Sequence, residues 1–498
     1  MRRIVAGSLL LCLVAAPGAR AAPPAWAGFA ANAQHTAPAP ATAQRFAGLH
    51  WTTPVDDAPQ DQGGELLIHY ASPVITAANT VLVAVKLHAA GGFRIEAHAA
   101  IDGTLLWQSD TDYMLPPSGW TPPLPVTLAP NGTLVVAGAG GTVLVRAAPD
   151  SPTGTARRVA FYGLASWQAN EATYDAAVKI NTPLTADAQG NLYFGFIVTG
   201  ATPAGLVSGI ARVGRDGVGS WVSAAAAAGD SGVTQVETNA APALSHDGQT
   251  VYVAVTNGTS GYLLGLSTAT LATRYSAWLV DPATGEPSWL IDESSASPTV
   301  GPDGDVFYGV LETPFPDHDD RGWLLHFDAT LRTVKVPGSF GWDNTVSVVP
   351  RSAVPSYTGA SPYLLMSKDN NYLDIGPFGD GHNRIAIMDP DVAAQDPYSP
   401  AMSMAIVQSV LGPTQDPDGP PGAVYEWCIN SAVVDAAGRG VIANSEDGHV
   451  YHWNLASNAL DEVLLLNAPR PEAYTMTVIG PDGTSYAINN ATLYAIGQ

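Results

Sequence analysis

Cysteine is almost missing from this chain: 498 residues hold only Cys12 and Cys428. Cys12 falls within an apolar leader, so a chain cut after that leader keeps one thiol and has no intrachain disulfide. Such a lone thiol is most simply a small buried side chain. Charge is scarce too, at 13% Asp, Glu, Lys and Arg, and it is one-sided. There are 21 basic residues against 44 acidic ones, and only four are lysines: Lys86, Lys179, Lys335 and Lys368. Nucleic acid is bound by clustered Lys and Arg, so this balance excludes it as a partner. After the leader no apolar run approaches the roughly 20 residues of a transmembrane helix, so no membrane span is expected. The patterns His-Glu-x-x-His, Gly-x-Ser-x-Gly and Cys-x-x-Cys-His are absent, and with them the usual signatures of zincins, nucleophile elbows and c-type haem.

The leader itself reads as a signal peptide over residues 1–21. Arg2 and Arg3 precede the apolar stretch Ile4 to Ala16, and Ala19, Arg20 and Ala21 form an A-x-A cleavage site. Leu11 is not the small residue that a lipid-anchored Cys12 would need before it. The expected location is periplasmic or secreted. Removing Arg2, Arg3 and Arg20 leaves 18 basic against 44 acidic residues, an acidic exported protein with no feature that calls for more than a monomer. Residues 22–44, rich in Ala and Pro, read as a tether.

Punctuation is abundant. Gly and Pro number 50 and 40, and 46% of the chain is hydrophobic. Ten Asp-Gly or Asn-Gly pairs mark tight hairpins, because both turn residues tolerate positive φ. One pattern recurs: a short run led by Ser/Thr/Ala-Pro, a turn, then an apolar β-rich run. Its copies start near residues 73, 125, 183, 242, 298, 345, 431 and 475, about 57 residues apart on average, with one long step of 86. This predicts an all-β fold over residues 45–498: one eight-bladed β-propeller of four-stranded antiparallel blades. The last unit lacks a strand, and Leu49–Thr52 is the natural donor, so the N- and C-terminal strands are expected to pair and remove an exposed edge. The long step predicts an insertion at about 389–422 that caps the channel mouth.

The segment Asp281-Pro282-Ala283-Thr284-Gly285-Glu286-Pro287-Ser288-Trp289 resembles the tryptophan-docking pattern Asp-x-x-Thr-Gly-x-x-x-Trp of PQQ-like (quinoprotein alcohol dehydrogenase-like) propellers. Ala100 to Trp107 looks like a shortened version, with Asp102, Gly103 and Trp107. The resemblance implies that Asp281, Thr284, Gly285, Trp289, Asp102 and Trp107 are structural, each Trp packing between blades. It also makes PQQ and Ca²⁺ possible cofactors. That family's alcohol dehydrogenases carry an adjacent Cys-Cys pair, which a single mature Cys cannot supply.

Loops entering the innermost strands, and loops after the second strands, converge at one channel mouth. The polar residues placed there are densest in blades six to eight. The ligand-binding candidates are Trp342, Asp343, Asn344, Lys368, Glu426, Trp427, Asn430, Asn444, Glu446, Glu472 and Asn489. The tryptophans suit a flat ligand or sugar face, and Glu426, Glu446 and Asp343 suit Ca²⁺ or an acid/base pair. Asp317–Gly322 has the look of a divalent-ion loop without the full spacing, and reads as a solvated loop. Three functions stay open: a protein binding a small molecule, glycan or envelope protein without catalysis; a quinone- or metal-dependent dehydrogenase; and a carbohydrate-active propeller, lyase or hydrolase.

Overall fold

Each apolar run ends in a turn that reverses the chain, so strands add in sequence order and build one antiparallel sheet after another. A computed structural model describes residues 23–62, 65–66, 69–89, 91–117, 123–291, 296–313, 321–373, 379–468 and 473–498. The predicted signal peptide, Asp317 to Asp320 of the ion-loop look-alike, and Glu472 lie outside the described residues.

Eight sheets follow one another. The first blade is Val74–Ile75, Thr80–His88, Gly91–Ala99 and Leu105–Thr111; the second is Val126–Leu128, Leu134–Ala137, Thr142–Arg146 and Ala156–Ala160. In the third and fourth the innermost strand is split into two pieces on one partner, Val178–Ile180 with Thr185–Ala186, and Gln235–Val236 with Ala243–Leu244. The sixth blade is Ser347–Pro350, Tyr363–Asp369, Arg384–Gln395 and Met402–Leu411, and the seventh runs from Val433–Asp435 to Ala459–Leu465. The fifth has three named strands, Thr299–Val300, Val306–Val310 and Trp323–Phe327; bridges from Phe327 to Val334 and from Leu324 to Gly338 stand in for the fourth. Pro337, which has no N–H to donate, falls in that segment and breaks the ladder. Among the described residues no helix is long and apolar enough to cross a membrane. The Ala224–Ala228 run is a short helix, capped by Ser223, whose Oγ accepts from Ala226 N, and ended by Gly229 at φ 69°.

The ring closes as expected. Gly48–Pro54 pairs with Thr492–Gly497 in the eighth blade, and Trp51 lies directly opposite Ala495. Second strands such as Val306–Val310 and Ser485–Asn489 are buried along their whole length, because blades cover both their faces.

Tryptophan docking is real, but only one of the two predicted segments performs it. In the first blade Val74, Leu82, Ala97 and Trp107 form one rung across four strands, and in the eighth Val478, Tyr486, Ala495 and Trp51 form the same rung. Each indole reaches the next blade's loop between third and fourth strands: Trp51 Nε1 donates to Ala100 O at 2.8 Å, and Trp107 Nε1 to Pro149 O at 2.6 Å. Asp102 holds the turn under Trp51 by accepting from Thr104 N. Asp281–Trp289 does not dock in this way. It follows the fourth strand of its blade, Thr273–Trp278, instead of preceding it. Asp281 accepts from Ala283 N, Thr284 N and Thr313 N, Gly285 N donates back to Asp281 O, and Trp289 bridges Leu311. The rung position of that blade belongs to Tyr275.

The Ala/Pro-rich segment expected as a tether is instead packed against the ring. Residues 23–44 run round the end where first and second strands join, making backbone hydrogen bonds to successive blades. Trp26 exchanges them with Ile75, Ala27 O accepts from Leu128 N, and Ala33 O accepts from Leu244 N. Gln34 O then takes Val300 N, Thr36 O takes Val348 N, Ala37 O takes Val434 N, and Gln44 N donates to Gly483 O. Trp26 is fully buried. Tracking the ring puts Ala30, Ala31, His35 and Ala37 at positive φ, about 1 kcal/mol or more of strain for each alanine, which the flanking bonds hold in place.

The insertion also differs from a simple cap. Residues 389–404 prolong the outer hairpin of the sixth blade, and a bulge between Asp389 and Ala393 swings it onto the fifth blade, where Met404 N donates to Pro337 O at 2.7 Å. Gly412 and Val424 bond to Asn383 and Gly381 of the sixth blade's inner loop.

Candidate functional site

The loops of blades five to seven place four of the predicted residues, Asp343, Asn344, Lys368 and Asn430, in one packed polar core. The chain before the sixth blade turns at Asp343, with φ 41°, which aims its carboxylate at Lys368 on the end of Tyr363–Asp369; the two form a buried ion pair. Asn344 Nδ2 donates to Ser367 Oγ at 2.9 Å, and its Oδ1 accepts from Lys368 N. Asn430 Nδ2 donates to Asp343 O at 2.8 Å and to the Tyr474 hydroxyl at 2.5 Å. Trp342 is buried with Leu311, Phe340 and Tyr372, and Trp427 with Ile429, Trp453 and Tyr451. Neither indole presents a free face to a ligand.

A second buried ion pair was not foreseen. Arg321 Nη2 lies 2.5 Å from Asp369 Oδ1 and donates to Ser339 O at 3.0 Å; its guanidinium sits 4.1 Å from the Tyr398 ring and 5.4 Å from that of Phe340. Its signal was available: few cations exist in this chain, and Arg321 precedes a third strand at the same mouth. Tyr372 is buried between these groups, and its hydroxyl is pushed well above the ordinary tyrosine range, first by burial and then by the charges of Glu426 and Asp343.

Other candidates lie apart. Glu426 and Glu446 are half-buried and are joined through backbone, Glu446 N donating to Glu426 O at 3.2 Å. Asn444 Nδ2 donates to Ile488 O at 3.0 Å; its Oδ1, both polar atoms of buried Asn489 and Trp427 Nε1 have no hydrogen-bond partner among the described residues. Among the described residues no three His, Cys, Asp or Glu side chains stand close enough to hold a metal ion. The channel below holds a cavity of about 70 Å³, floored by Phe29 of the N-terminal segment and walled by His69 and Tyr474, whose rings stack at 3.9 Å.

Solved structures share this architecture. A quinohemoprotein alcohol dehydrogenase from Comamonas testosteroni superposes with a TM-score of 0.59 at 11% identity, over 96% of this chain and 82% of that one. A europium-containing methanol dehydrogenase gives 0.54 at 9% identity, over 93% and 89%, and a quinohemoprotein alcohol dehydrogenase from Pseudomonas putida HK5 gives 0.52 at 11%, over 97% and 78%. What is shared is the fold, an eight-bladed β-propeller. No family model and no curated protein matches the sequence.

That likeness invites a test for PQQ, a flat tricycle bearing three carboxylates. Its recognition needs a slot and uncommitted cations. Here Lys368 and Arg321 are buried on Asp343 and Asp369, Trp342 and Trp427 are packed into apolar clusters, and the 70 Å³ cavity is far below the roughly 300 Å³ where small-molecule pockets begin. Ca²⁺ fares no better, because Asp343 is already neutralised by Lys368. The described residues at this mouth do not fit the quinone or its metal.

Proposed function

We propose that this chain is an exported quinoprotein-type propeller that binds a ligand or an envelope partner and has no quinone chemistry at its channel mouth. One observation carries the reading: the two cations found at the mouth among the described residues, Lys368 and Arg321, are buried in ion pairs with the chain's own Asp343 and Asp369. Pulling either carboxylate away to admit a quinone would strand a buried charge, at a cost of about 3–5 kcal/mol each. Export rests on Arg2, Arg3, the apolar stretch and the Ala19–Ala21 cleavage pattern. The alternative, a quinone-dependent dehydrogenase, has in its favour the fold shared with quinohemoprotein alcohol dehydrogenases. Incubating the purified protein with PQQ and Ca²⁺, desalting, and reading absorbance and dye-coupled alcohol oxidation separates the two. The binding reading expects no retained quinone and no turnover; one quinone per chain with turnover overturns it.

A further inference from the structure

The rung that carries Trp51 in the eighth blade and Trp107 in the first continues into the second blade, where it reads Thr127, Val135, Val145 and Arg157. Arginine therefore stands where the eighth and first blades place the docking indole. Trp51 lies flush on the Asp102-Gly103 turn of the next blade, so that an added Cβ at Gly103 would come within 2.6 Å of the ring. Arg157 faces the matching Asp216-Gly217 turn of the third blade: an added Cβ at Gly217 would come within 3.3 Å of its Nη1. The same turn carries Arg215. With no indole to fill it, the wedge between blades two and three opens as a cleft of about 610 Å³, within the range of small-molecule pockets.

The charge in this cleft is opposite to that of the protein. Arg157 and Arg215 are exposed, and neither forms an ion pair among the described residues. No carboxylate lines the cleft. The nearest acidic side chains are spent on their own turns: Asp216 accepts from Val218 N, and Asp187 accepts from Gln189 N, Asn191 and Tyr193. Val145 and Val159 on one side and Leu192 and Val213 on the other give the cleft aliphatic surface, beside the polar Asn131, Thr133, Thr155 and Gln189. Elsewhere in this molecule the corresponding space holds an aromatic ring against a guanidinium, since Arg146 covers the Trp107 ring at 3.9 Å.

We propose that the cleft between blades two and three is a binding site for a small aromatic carboxylate. The ring takes the place of the missing indole, between the aliphatic side chains, and Arg157 and Arg215 hold the carboxylate. This deepens the binding-protein reading and rests on it.

Calorimetric titration of the full mature chain with 2-naphthoate tests the site. Saturable one-to-one binding is expected, with 2-naphthamide (ring without charge) and cyclohexanecarboxylate (charge without aromatic ring) each at least about tenfold weaker. Arg157→Gln and Arg215→Gln each weaken naphthoate by about tenfold. Arg157→Trp restores the docking residue, fills the cleft and abolishes binding in a protein whose circular dichroism is unchanged. Should either Arg157 variant fail to fold, Arg215→Gln, in an exposed turn, decides alone. Absence of saturable binding, equal affinity for naphthamide, or naphthoate affinity untouched by the folded variants overturns the site. The quinone uptake assay, repeated on Arg157→Trp, keeps the two ideas apart: retained quinone there defeats the binding-protein reading, whereas lost naphthoate binding alone bears only on the cleft.

Discussion

Trp51 and Trp107 are separated by 55 intervening residues, yet occupy one rung of adjacent blades and donate to equivalent loop carbonyls, Ala100 and Pro149. Trp51 arrives from the N-terminal strand, so it ties ring closure to blade docking. Trp51 is half-buried, so Trp51→Ala is expected to cost less than the about 3–5 kcal/mol of fully buried Trp truncations, while Trp51→Phe keeps part of the packing and loses the hydrogen bond, about 1 kcal/mol, along with some contact area. Urea denaturation midpoints measure both; equal effects would mean that packing on Gly103 contributes little.

The segment 23–44 yields a sharper test, because a tether and a packed belt predict opposite results. Deleting residues 23–40 from the mature chain removes the fully buried Trp26 and the backbone bonds to the blades, and uncovers the channel at Phe29. Thermal unfolding should fall by many degrees and limited proteolysis should speed up. Trp26→Ala alone should cost about 3–5 kcal/mol. A deletion variant as stable as the parent would return the segment to a tether.

The ring was legible because its signals are local and repeated: Asp-Gly and Asn-Gly turns, proline-led first strands, and an unpaired last blade that called for Leu49–Thr52. The belt was not, since Ala and Pro carry no periodicity and its partners are backbone groups that no side-chain pattern reports. The Asp281–Trp289 match misled because a motif fixes spacing but not its place relative to the fourth strand, Thr273–Trp278. At the mouth the sequence pointed to Asp343, Asn344, Lys368 and Asn430, which do lie together. What it could not convey was that these side chains satisfy one another, since that depends on Asp343 adopting φ 41° and on Arg321 arriving from the fifth blade.

Lys86 and Asp56 form another buried pair, 3.2 Å apart with both side chains at most 1% exposed. The Tyr70 hydroxyl and Ala58 N also donate to Asp56. Lys86→Met strands the carboxylate and is expected to cost about 3–5 kcal/mol, whereas Lys86→Met with Asp56→Leu should recover much of that loss, because no charge then stays buried. A double-mutant cycle on denaturation midpoints checks this; additive losses would show that the two groups do not interact.

His35 gives the belt a pH dependence with a definite sign. It is buried, its Nδ1–H donates to Pro298 O at 2.7 Å, and burial lowers its pKa from 6.5 to about 4 in spite of that bond. The neutral ring is the form the fold accepts, so between those values the unfolded chain binds the extra proton. Stability from this group is intact above pH 6.5, declines as pH falls, and is fully lost near pH 4. The slope approaches 1.4 kcal/mol per pH unit, for a total of about 3 kcal/mol. Carboxylates titrate over part of the same window, so the comparison needed is with His35→Gln, which cannot protonate there. Denaturation midpoints at pH 7.0, 5.5 and 4.5 should converge on those of the variant as acid is added; parallel curves would mean that the ring is charged, or solvated, inside the fold.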